Sequence, residues 1–109
     1  CYALFPTITG GASGTFYVAW MDDRNGNPIN HTNGWNVWLR TYSSGAFTGP
    51  SQQISAYDPS QFQSQPNGFE FPYGDYFGLD VNSCGSPELT WGEGISYQGP
   101  GHIEYRTLC

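Results

Sequence analysis

The chain repeats itself. Residues 8–22 align with residues 79–93 at a constant offset of 71, so that Gly14 falls on Gly85, Val18 on Leu89, Trp20 on Trp91 and Asp22 on Glu93. Further along, Val37-Trp38-Leu39-Arg40-Thr41 falls on Ile103-Glu104-Tyr105-Arg106-Thr107 at an offset of 66, so the second copy has the shorter connecting loop. Two matches in the same order point to one structural unit used twice. Runs of β-branched and aromatic residues separated by Gly-rich turns make that unit a strand meander. In the first copy strands are expected over 4–9, 15–21, 35–42 and near 52–55, with turns at 10–14 and 43–49 and a long loop over 22–34. In the second they are expected over 76–81, 88–92 and 102–108, with no fourth. The expected organisation is therefore a first unit over 1–55, a linking loop over 56–75, and a second unit over 76–109 that lacks its outer strand.

Composition narrows the partners as well as the fold. Fifteen Gly, 8 Pro and an aromatic content of 17% suit strands and tight turns, and argue against a helical bundle, a coiled coil or an α/β nucleotide-binding fold. With hydrophobic residues at 38%, the core is expected to draw on rings more than on aliphatic side chains. A net charge of −6 with three Arg and no Lys offers no cationic patch for phosphates, so nucleic acid is not an expected partner. No apolar run approaches the roughly 18 residues of a membrane span, and no cofactor motif is present.

Three cysteines are spaced too widely for a C-x-x-C metal or redox pair. In an up-and-down meander, the turn between first and second strands and the end of the third strand lie at the same end of the sheet. That places Cys84 near Cys109, and a Cys84–Cys109 disulfide is expected; the rival pairing is Cys1–Cys109. The sequon at Asn30-His31-Thr32, read as a glycosylation site at Asn30, and the disulfide both suit a secreted or cell-surface protein.

Several phrases resemble the sialidase-like propeller family built from BNR (Asp-box) repeats: residues 16–26 (FYVAWMDDRNG), residues 71–79 (FPYGDYFGL) and Trp91-Gly92-Glu93-Gly94. The resemblance spans most of the chain as two consecutive blades. The family's Asp-box, S-x-D-x-G-x-x-W, is degenerate here: it is matched only by Thr41-Tyr42-Ser43-Ser44-Gly45-Ala46-Phe47, with Ser for Asp, Phe for Trp and one residue fewer. A family site would need an arginine cluster, a Tyr–Glu pair and an acid–base Asp drawn from several blades, and two blades do not assemble it. The expectation is a non-enzyme.

The loops at the end opposite the cysteines gather most of the acids, both histidines and several rings. Ligand-binding candidates there are Asp23, Arg24, Trp35, Asp75, Tyr76, Glu93 and Tyr97. Each has a plainer alternative. Asp75 would cap the Tyr73-Gly74 turn. Asp22 and Glu93 would be a carboxylate pair for glycoside chemistry, or would accept loop amides and pair with Arg24. Residues 23–27 would ligate calcium, or form an ordinary Asn-Gly turn. Arg40 and Arg106 would bind an anion, or pair with acids on a neighbouring strand. His31 and His102 lack metal spacing. Trp20, Trp38 and Trp91 are expected in the core, with Trp35 the best placed to offer a ring.

Two blades cannot close a propeller, which needs about four to eight. The chain is therefore expected to work with the remaining blades of a longer chain or with further copies of itself, and a glycan is the small ligand that the resemblance implies. The leading reading is a secreted binding and interaction module. The alternative is a structural subunit of a ring or filament completed by strand exchange. A piece of a glycoside hydrolase ranks last.

Overall fold

A computed structural model describes residues 2–26, 29, 34–56, 77–94 and 101–109. The chain is all-β, as expected. Strands β1 (Ala3–Gly10), β2 (Thr15–Asp22), β3 (Asn36–Ser43) and β4 (Ala46–Gln53) form an antiparallel sheet in sequence order. Strands β5 (Phe77–Val81), β6 (Pro87–Gly94) and β7 (Gly101–Thr107) form a second one. Among the described residues the second sheet has three strands, and no helix is long and apolar enough to cross a membrane.

The repeat is a repeat of register. Ile8 pairs with Val18, and Val18 with Arg40; the counterparts Leu79, Leu89 and Arg106 pair in the same way. Met21 faces Val37 as Gly92 faces Ile103. Because strand side chains alternate between faces, matched registers put matched residues on matched faces of the two sheets.

The sheets meet face to face, approaching through β1 and β5. One buried cluster joins Ala19, Met21, Trp35, Val37, Leu39 and Ile54 of the first unit to Leu89 and Trp91 of the second. Tyr17 Oη donates to the Gly85 carbonyl (3.2 Å) and Arg106 Nη1 to the Ile54 carbonyl (2.8 Å), so both ends of the contact also carry a hydrogen bond. The core uses Trp and aliphatic residues. Phe16, Phe47 and Tyr105 are exposed instead, against the expectation that rings in general would fill the interior.

Two departures from the expected strands have local causes. The β3–β4 turn is a two-residue hairpin at Ser44-Gly45, both at positive φ (53° and 88°), so β4 begins at Ala46 and not near residue 52. Gly49, the end of the expected turn over 43–49, lies with Pro50 in an irregularity of β4, where the register slips opposite Arg40. In β1 a similar slip between Leu4 and Thr7 surrounds Phe5 (φ 54°) and Pro6, breaking the regularity of an edge strand.

Cys84 and Cys109 form a disulfide, with Cα atoms 6.4 Å apart. Asn82 organises the ground beneath it. Its Oδ1 accepts the amides of Cys84 (3.1 Å) and Ser86 (3.0 Å), and its Nδ2 donates to Thr107 Oγ1 (3.0 Å), tying the β5–β6 turn to β7.

Candidate functional site

The end of the first sheet where β2 leaves and β3 returns holds the densest polar cluster. Asp22, the last residue of β2, is 2% exposed. Its carboxylate accepts Arg24 Nε (2.9 and 3.0 Å), Arg24 Nη2 (2.5 Å), the Arg24 amide (3.2 Å) and Trp20 Nε1 (2.8 Å). Trp20 can donate because strand alternation puts residues 20 and 22 on one face. The guanidinium so held lies 3.8 Å from the Trp38 ring centroid, stacked on the indole that faces Trp20 across the sheet. Trp38 is 8% exposed, and its Nε1 has no acceptor among the described residues.

Burial alone would raise the Asp22 pKa. Hydrogen bonds from Arg24 and Trp20, helped by the Arg24 charge, outweigh it and hold the carboxyl below its ordinary value of 3.8. By linkage, the ion pair stabilises the fold in full above the unfolded value of 3.8, and that contribution is lost as pH falls through the lower folded value. Asp22→Ala is expected to cost about 2 kcal/mol at neutral pH, less than a fully buried pair because Arg24 is part-exposed. Thermal melts from about pH 5 to about pH 2 should show the wild type losing this margin in acid, so that the two proteins converge.

Beside this knot lies a second network. Asp23, also 2% exposed, accepts the Tyr2 amide (2.6 Å) and so ties the start of β1 to the end of β2. Ser55 Oγ accepts the Val37 amide (2.8 Å) and donates to Asn36 Oδ1 (2.9 Å), and Gln53 Nε2 donates to the Ser55 carbonyl (2.8 Å). The returning loop enters β3 through Gly34 (φ 75°), where a Cβ would collide with the backbone of Gly26; only glycine fits that approach.

Asp23 and Arg24 come together at this end, with Asp22. Trp35 is 1% exposed in the core and presents no ring to solvent. Glu93 and His102 are placed in β6 and β7 as a cross-strand pair. Asn30, His31, Asp75, Tyr76, Tyr97 and Cys1 lie outside the described residues. Arg40 and Arg106 are held by carbonyls rather than by acids: Arg40 Nε donates to Gly49 (3.0 Å) with its guanidinium over Phe47, and Arg106 reaches Ile54. No group of three or more His, Cys, Asp or Glu is placed to hold a metal among the described residues. No local sequence motif marks the Ser55–Asn36 pair, whose partners are 19 residues apart.

Below the knot, the outer face of the first sheet turns apolar. Ile8, Phe16, Val18, Tyr42 and Phe47 line a shallow groove of about 240 Å³. The rings of Phe16 and Tyr42 lie 6.3 Å apart, and Phe47 meets Tyr42 edge-on at 5.3 Å. Ile8 is 65% and Phe47 50% exposed. Comparison with protein-family models, curated proteins and solved structures finds no match to this chain.

Proposed function

We propose that the chain forms two consecutive blades of a sialidase-like β-propeller and serves as a secreted or cell-surface binding and interaction module. The observation that carries this reading is the face-to-face packing of two register-equivalent meanders, with the first strand of one beside the first strand of the other. Neighbouring blades around a propeller axis are related in this way. The Cys84–Cys109 disulfide is consistent with an extracellular location.

Carbohydrate is the ligand class, and Arg24, part-exposed at the end of the first sheet, is its nearest described contact, with the buried Asp23 holding the neighbouring backbone. A guanidinium, the Asp22 carboxylate and two indoles lie together there, the mixture of fixed polar groups and apolar ring surface that suits a sugar. Asp22 is neutralised by Arg24, so no catalytic role is assigned to it. A glycan array probed with the oxidised protein tests this. Binding to a glycan class is expected, weakened at least about tenfold by Arg24→Ala, equivalent to about 1.4 kcal/mol. No signal above background would overturn the carbohydrate assignment. The uncovered face around Phe16 and Phe47 favours a second reading, a structural subunit assembled from copies.

A further inference from the structure

We propose that the outer face of the first sheet docks onto the outer face of the second sheet of another copy of this chain. The contact would follow the rule by which the two sheets already meet within one copy. The proposal rests on the two-blade reading above and names the partner of its open face.

The repeat gives each unit a front and a back. The front of the second unit, carrying Leu79, Leu89, Trp91 and Arg106, packs against the first unit. Its counterparts in the first unit are Ile8, Val18, Trp20 and Arg40, and these lie on the outer face. The back of the first unit, carrying Tyr17, Ala19, Met21, Val37 and Leu39, receives the second. Its counterparts Glu88, Thr90, Gly92, Ile103 and Tyr105 lie on the outer face of the second sheet. Among the described residues, one copy thus leaves one front and one back uncovered, and their equivalents are already seated on each other inside the molecule.

Exposure and charge agree with this pairing. Ile103 and Tyr105 are 76% and 56% exposed on the open back. The open front carries the cation Arg40, and the open back carries the acids Asp80 and Glu88. Arg106 crosses to the carbonyl of Ile54 on the neighbouring unit, whereas Arg40 folds back on Gly49 and Phe47 of its own strand pair. A contact between two different faces is heterologous, so it propagates into a ring or an open array and does not stop at a two-fold dimer.

Sedimentation velocity on the oxidised chain, with two surface variants, tests the proposal. The wild type should form species larger than a dimer as concentration rises. Phe47→Asp spoils only the front and Ile103→Asp only the back, so each alone should associate at least about tenfold more weakly. Mixed, they should form a one-to-one dimer and nothing larger, because each supplies the face the other lacks. Association of Ile103→Asp at the wild-type level would show front-to-front pairing and overturn the proposal. A wild type that stays monomeric would also overturn it, and would leave the two-blade reading standing as long as Leu89 and Trp91 still contact the first sheet.

Discussion

Trp91→Ala is expected to unfold both sheets together, at a cost of about 3–5 kcal/mol. Trp91 is 4% exposed and belongs to the single cluster that contains Ala19, Met21, Val37 and Leu39 from the other sheet. Truncating its indole removes transfer free energy and leaves a cavity where neither sheet can collapse without losing the other. A small domain has only about 5–15 kcal/mol in total, so the loss takes a large share of it. Phe47→Ala, at 50% exposure on the open front, is the control and should cost less than about 1 kcal/mol. Denaturant unfolding followed by far-ultraviolet circular dichroism reads both. An unchanged midpoint for Trp91→Ala would mean that the sheets do not share a core.

Removing the disulfide with Cys84→Ser and Cys109→Ser together should cost about 3 kcal/mol, the chain-entropy value for a loop of this size. The sequence separation is 25 residues, and the bridge closes over β6 and β7. The second sheet depends on it because few of its described residues are buried, Leu89 and Trp91 being the main ones. Leu108, packed against the core edge and donating its amide to the Pro87 carbonyl (3.1 Å), should come away with the bridge. Hydrogen exchange should therefore accelerate most in β7 and least in β2 and β3. Uniform acceleration would show that the bridge acts on the unfolded chain alone.

The repeat was legible because strand alternation writes each face into the sequence at period two. Matched residues such as Val18 and Leu89 then occupy matched registers. Alternation says that a strand has two faces and leaves open which one is covered. Trp20 and Trp91 align, yet Trp91 is buried between the sheets while Trp20 lies on the outer face, held by Asp22. The expected turn over 43–49 runs into β4 because a turn and a strand irregularity both favour a glycine such as Gly49. The real turn, Ser44-Gly45, depends on a positive φ that serine seldom adopts. At the polar end, the Asp22–Arg24 pair was legible as neighbours in sequence. The Asn36–Ser55 contact spans 19 residues and exists only once β3 and the end of β4 are side by side.

Two repeat-equivalent sheets share one core, and nuclear Overhauser contacts measure that directly. Cross-peaks from the side chains of Leu89 and Trp91 to those of Ala19, Met21, Val37 and Leu39 are expected in dilute, oxidised protein. Sheets that show contacts only within themselves, with Leu89 and Trp91 open to solvent, would contradict it.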